Sequence, residues 1–371
     1  MPLWARLLAL FALLYLFLVA IEVMSGAFKF MGSDQAKSLF EGVANPFAGL
    51  AVGILSTVLV QSSSVSTATI VALVGSGELS VSYAVPMIMG ANIGTTVTNT
   101  MVSLAHVRQS QEFRRAFAAA TMHDFFNVLA VGVMLPLELA TGFLSKTATA
   151  ISDTLVERSI DVGDAGSYTS PIKIAVKAVS GEVKHVLKDV LGLDGTFGAV
   201  VMLALGLGLI FVSLTFITKI MRVVIAGKAE QALNAMLARS GLLAMAMGVG
   251  ITVAVQSSSI TTSLLVPLCA SGVLSARNAF PVMLGANIGT TITALLASVA
   301  TGSAGLTIAL VHVLFNVVGV LLVYPIPSVR AVPVKLARSL AKRCAINPVW
   351  AFGYVGVVFV LMPLLGIVLF R

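Results

Sequence analysis

Apolar runs at residues 3–27, 45–75, 80–105, 116–143, 197–218, 241–272, 276–300, 306–328 and 347–370 alternate along the chain with shorter polar segments. Most are long enough for a helix across a bilayer, which takes about 20 residues. Two are not uniform. Inside residues 45–75 stands the polar tetrad Gln61-Ser62-Ser63-Ser64, and inside 241–272 stands Gln256-Ser257-Ser258-Ser259. The apolar halves on either side of each tetrad are too short to cross a hydrocarbon core of about 30 Å at about 1.5 Å per residue. Each run therefore predicts two short helices meeting at the tetrad, a re-entrant hairpin.

The pattern repeats. Gly90-Ala91-Asn92-Ile93-Gly94-Thr95-Thr96 follows the first tetrad, and Gly285-Ala286-Asn287-Ile288-Gly289-Thr290-Thr291 follows the second. Both phrases recur at an offset of 195 (61 to 256, 90 to 285). Glycines flanking an asparagine, with Pro86 and Pro281 upstream, predict broken helices with exposed backbone ends, tolerated at membrane depth only where protein or a polar cavity satisfies them. Residues 116–143, with His123, Asp124 and Asn127, correspond to 306–328, with His312 and Asn316, at the shorter offset of 189.

Composition agrees: 58% of the 371 residues are hydrophobic and 10% charged, against about 25% charged in soluble domains. The formal charge of +8 does not indicate a nucleic-acid partner, because the basic residues lie in short loops between apolar runs. Loops 106–115, 219–240 and 329–346 hold most of them, and the last has no acid. The positive-inside rule places these loops in the cytoplasm. The N-terminus is then cytoplasmic, residues 144–196 are external, and the two copies are inverted relative to each other. Cys269 and Cys344 are placed for neither a disulfide nor a metal site.

The predicted architecture is an all-α polytopic membrane protein of two inverted-topology repeats. Each has a transmembrane helix, a re-entrant helical hairpin, a broken helix and a further helix, and one extra C-terminal helix closes the chain. Residues 1–143 form the first repeat, 144–196 an external linker, 197–328 the second repeat, and 329–371 a basic cytoplasmic loop and the last helix.

Doubled interruptions of this kind mark transport sites near the bilayer middle. Helix N-termini suit an anion. Carbonyl, amide and hydroxyl oxygens suit a small hard cation. Residues 45–105 contain no Lys or Arg and 241–300 only Arg277, so a bound anion must be offset by dipoles and co-bound cations. Packing competes with this reading at each phrase. Membrane Ser and Thr often bond their own backbone, and glycines often serve close helix contacts. His123 and His312 read first as interhelical hydrogen-bonding residues. Asp124, with Val313 in its place in the second copy, is a functional charge or the partner of a loop arginine.

The doubled tetrads and GANIGTT phrases, with Thr98-Asn99-Thr100, Glu112 to Phe117, His123-Asp124-Phe125-Phe126-Asn127 and Tyr324-Pro325-Ile326-Pro327, resemble the type II sodium-dependent phosphate cotransporter family in one of its bacterial members. The resemblance covers nearly the whole chain except the linker. It implies a multi-pass protein of the bacterial inner membrane that imports inorganic phosphate with sodium ions as co-transported partners, and no organic cofactor. It implies substrate binding by Gln61, Ser62, Ser63, Ser64, Gln256, Ser257, Ser258 and Ser259. It implies sodium coordination by Gln61, Ser64, Thr67, Asn92, Thr95, Thr96, Gln256, Ser259, Thr262, Asn287, Thr290 and Thr291. A symporter of another oxyanion or a carboxylate, and an ion channel built on paired hairpins, are the alternatives. An enzyme would need an acid–base or metal constellation, and the tetrads offer hydroxyls without a paired base. The sequence leaves oligomeric state and stoichiometry open.

Overall fold

A computed structural model describes residues 2–31, 45–160, 171–193, 195–236 and 240–370. The described residues form helices joined by short turns, without strands. Among the described residues, six helices are long and apolar enough to cross a membrane: Trp4–Ala27, Ser110–Thr141, Gly195–Ile220, Ala276–Thr301, Ser303–Val323 and Val349–Phe370.

Helix α1 (Leu3–Met31) packs along α9 (Gly195–Met236), with Gly206 against the backbone of Met24. The first tetrad separates α2 (Pro46–Val60) from α3 (Ser63–Gly75). Asn45 caps α2 by accepting from the Phe47 N–H at 2.9 Å, and Pro46 opens the helix, both favourable N-terminal choices. The second tetrad separates α10 (Gly241–Val255) from α11 (Ser258–Ala270). Every bound of the second hairpin lies 195 residues after its counterpart. At 15 and 13 residues, the arms reach about 22 Å and about 20 Å, short of a bilayer core.

The GANIGTT segments differ from expectation. In the first copy α4 (Val81–Gly94) and α5 (Val97–Leu104) are separated only by Thr95 and Thr96, which keep right-handed helical torsions. In the second, α12 (Ala276–Thr301) runs through Gly285 to Thr291 without interruption. The predicted broken helix is thus a slackening in one copy and absent from the other. The side chains donate back to the helix. Asn92 Nδ2 donates to Ile88 O at 2.8 Å, Thr95 Oγ1 to Ala91 O at 2.8 Å, and Thr291 Oγ1 to Ile288 O at 2.7 Å.

The glycines serve packing. A Cβ on Gly90 would enter the Leu50 carbonyl, and one on Gly53 the Met87 carbonyl. In the second copy Gly285 meets the Met245 carbonyl and Gly248 that of Val282. The first hairpin arm and the following helix therefore touch backbone to backbone in each repeat, as small residues permit in membrane interfaces.

α6 (Ser110–Thr141) ends at Gly142, φ 66°, and α7 (Phe143–Ile160) begins at once. Glu138 accepts from the Leu144 N–H at 2.6 Å, satisfying the start of α7. α7 packs along α13 (Ser303–Val323), and α14 (Pro327–Ile346) packs along α6. The linker and the basic loop are thus helical over much of their length, including α8 (Pro171–His185). The last span is α15 (Val349–Gly356), a π turn at Val357–Leu361 and α16 (Met362–Phe370). It is only 11% buried, whereas the α12 span is 72% buried; α12 lies at the centre and the last span at the periphery.

Candidate functional site

The hairpin tips are built by local backbone chemistry. Gln61 (φ 54°, ψ 27°) and Gln256 (φ 58°, ψ 27°) end α2 and α10 in the left-handed region, the only non-glycine residues with positive φ among those described. Such torsions cost an ordinary residue about 1–2 kcal/mol. The next serine starts the second arm: Ser62 Oγ accepts from Val65 N at 3.3 Å and Ser257 Oγ from Ile260 N at 3.4 Å. Each tip therefore brings a helix C-terminus, with its free carbonyls, against a helix N-terminus, with its free N–H groups.

The two tips meet inside the protein. Ser64 Oγ donates to the Gln256 carbonyl at 3.5 Å. Thr293, on α12, places its hydroxyl 3.4 Å from Ser64 Oγ and 3.1 Å from Gln256 Oε1. On the other side, Thr262 Oγ1 and Ser263 Oγ donate to Asn99 Oδ1 at 2.9 and 3.2 Å, tying α11 to α5. Thr293 and Asn99 are absent from the sequence-derived site. A signal was present, since Thr98 and Thr293 recur at the same offset of 195.

The junction is not symmetric. Gln256 is half-buried and held by Thr293, whereas Gln61 is exposed. Thr98 Oγ1, the counterpart of the Thr293 hydroxyl, is buried without a hydrogen-bond partner. Ser258 Oγ and Thr290 Oγ1 are likewise buried and unpartnered. Buried hydroxyls without partners are uncommon. Their oxygens suit a hard cation and their O–H groups an anion. Ser63, Thr67 and Ser259 belong to the same first turns; Thr67 Oγ1 donates to Ser64 O at 3.4 Å. Among the described residues, no group of three His, Cys, Asp or Glu could hold a metal ion.

Asn92 and Asn287 lie elsewhere, in a buried amide chain joining four helices. His123 Nε2 bonds Asn287 Oδ1 at 2.5 Å, Asn287 Nδ2 donates to Asn127 Oδ1 at 2.8 Å, and Asn127 Nδ2 donates to Asn92 O at 2.7 Å. Asn316 Nδ2 donates to Asn92 Oδ1 at 3.2 Å. The interhelical role expected for His123 is met. Its counterpart His312 is buried with neither ring nitrogen partnered. Asp124 is bonded not by a loop arginine but by the Tyr354 hydroxyl of the last span, at 2.7 Å. Thr96 Oγ1 donates to Ile93 O at 2.8 Å. An Asn287→Ala variant strands His123 and Asn127 together. We expect a loss of about 1–3 kcal/mol, read as a lower thermal unfolding midpoint in detergent; an unchanged midpoint would deny the amide chain a structural role.

Residues 16–152 and 209–325 match the model of the Na+/Pi-cotransporter family. The chain is 36% identical to sodium-dependent phosphate transport protein 2A of Ovis aries over 94% of its length, covering 65% of that relative. It is 34% identical to sodium-dependent phosphate transport protein 2B of Homo sapiens over 97% of its length, covering 64% of that relative. It thus spans just under two thirds of the length of these relatives. No solved structure matches it significantly. With the family model matched in both repeats and relatives similar along nearly the whole chain, the chain belongs to the Na+/Pi-cotransporter family.

Proposed function

We propose that this chain is a sodium-coupled importer of inorganic phosphate and that the two hairpin tips form its binding site. The observation carrying this reading is the Thr293 bridge, which joins Ser64 of the first tetrad to Gln256 of the second. The names of the relatives, sodium-dependent phosphate transport proteins, supply the substrate and the ion.

In this reading, serine hydroxyls and free N–H groups at the starts of α3 and α11 receive phosphate through Ser62, Ser63, Ser64, Ser257, Ser258 and Ser259. Gln61 and Gln256 orient it. Burying an anion without a paired cation is strongly unfavourable. No Lys or Arg stands in residues 45–105, and Arg277 is alone in 241–300. Sodium ions then offset the charge, held by oxygens of Gln61, Ser64, Thr67, Gln256, Ser259, Thr262 and Thr290. Asn92, Thr95, Thr96, Asn287 and Thr291 complete sodium coordination along the path in this reading, from side chains that here bond helix backbone or one another.

The repeats are inverted and their hairpins enter from opposite sides, with the N-terminus and the basic segments in the cytoplasm. Residues 1–143 and 197–328 are the moving units. An exposed Gln61 and an engaged Gln256 support a site open toward one hairpin and closed over the other, as alternating access requires. Uptake of labelled phosphate into proteoliposomes tests the reading. We expect accumulation only with an inward sodium gradient. Uptake indifferent to sodium would remove the coupling, and uptake of a different anion in its place would remove the substrate.

A further inference from the structure

Two cavities open at the base of the second hairpin, away from the tips. One, of about 380 Å³, lies between the starts of α10 and α12 and the side of α14; its charged lining is Arg277, Arg330, Lys335 and Arg338. The other, of about 560 Å³, lies between the turn after α11, the start of α6 and α14; its charged lining is Arg114, Arg115, Arg338 and Lys342. Arg338 belongs to both. No carboxylate lines either cavity. His106–Glu112 and His185–Asp189 are ion pairs among the described residues, and neither includes one of these cations. Some are held in place by packing. The Arg330 guanidinium lies over the Tyr324 ring, 4.9 Å from its centroid, and that of Arg115 lies against Gly272, where a Cβ would stand 2.6 Å from Nη1.

Positioned cations lining two concavities that share Arg338 repel one another unless an anion lies among them. Arginine forks match phosphate oxygens bidentately. Both volumes fall in the range of about 300–1,000 Å³ that accommodates organic ligands, larger than one inorganic phosphate needs. Basic pockets between membrane helices at the cytoplasmic face are suited to anionic head groups. We propose that these cavities form one binding site for a polyanion carrying two or more phosphate groups, bridged through Arg338. The source is an anionic lipid head group or a soluble polyphosphate. Either would tie the base of the second hairpin to α6 and α14. No residue of the tetrads lines the cavities, so the site is separate from that of the transported ion, and the inference does not rest on the transport reading.

The test titrates inorganic tripolyphosphate onto the purified full chain in phosphatidylcholine nanodiscs by calorimetry. Saturable binding is expected. Arg338→Gln should weaken it about tenfold, the loss of roughly one charge-assisted hydrogen bond. Arg338→Lys should restore much of it, and Arg6→Gln, on α1, should leave it unchanged. Gln256→Ala should also bind normally, which separates this site from the hairpin tips. If Arg338→Gln does not fold, Arg114→Gln with Lys342→Gln probes the opposite wall. Adding phosphatidylglycerol or cardiolipin identifies the source. A lipid ligand competes with tripolyphosphate and is retained by the wild type but not by Arg338→Gln in native mass spectrometry. A soluble ligand binds equally with and without those lipids. Absence of saturable binding by either probe, or wild-type binding by the folded arginine variants, overturns the proposal.

Discussion

Gln256→Ala is expected to lower sodium-driven phosphate uptake by about 100-fold, with the protein still inserted and folded. The side chain accepts from Thr293 and its Nε2 donates to Val253 O at 2.6 Å. Its removal leaves Thr293 bonded to Ser64 alone and takes an amide from the point where the tips meet. A hundredfold loss corresponds to about 2.7 kcal/mol, the scale of one buried polar group left unmade beside a charged ligand. Alanine also keeps the strain of the left-handed backbone, so Gln256→Gly is the discriminating partner. Glycine adopts φ 58° without penalty. It should match or exceed the wild type in thermal stability while remaining as inactive as alanine. Recovery of uptake in the glycine variant would mean that only backbone shape matters, and the side-chain role would fall. Gln61→Ala should abolish uptake as well, with a smaller change in stability because that side chain is exposed.

Gly285→Ala is expected to be the most damaging small substitution in the membrane core. The added methyl enters the Met245 carbonyl and stands 2.9 Å from Val249 N. Neither backbone group can rotate away, so α10 and α12 must separate, at a cost of about 3 kcal/mol. Gly250→Ala, also on α10, meets nothing within 4 Å and should stabilise by about 0.5–1 kcal/mol through helix propensity. Unfolding midpoints and detergent-extracted yields of the two variants are the measurement. Equal midpoints would show that the repeat does not depend on this backbone contact.

The contrast shows where residue patterns inform and where they mislead. The pairs of short helices meeting at each tetrad were legible because a polar tetrad interrupts an apolar run, and the repeat at 195 removes coincidence. The GANIGTT phrase gives a short interruption at Thr95-Thr96 in the first copy and an unbroken helix in the second. Asparagine and threonine between glycines describe a broken helix and a tightly packed one equally well. The difference lies in what stands opposite, here the Leu50 and Met245 carbonyls, 40 residues upstream in each copy. Thr293 and Asn99 were missed for a related reason. Each is an ordinary polar residue of an apolar segment until its helix is placed against the opposite repeat's hairpin.

The sequence by itself determined the membrane class, the duplication and the short helices flanking each polar tetrad. These depend on hydrophobicity, length and backbone capping, which act within a few residues. Only the tertiary structure decided which tip touches which helix. It also decided that Asn287 braces helices, that Asp124 bonds Tyr354, and that the arginines of three separate segments gather at one pair of cavities. Those outcomes depend on packing between residues from different helices, most of them far apart in the chain, where distance along the chain carries little information about distance in space.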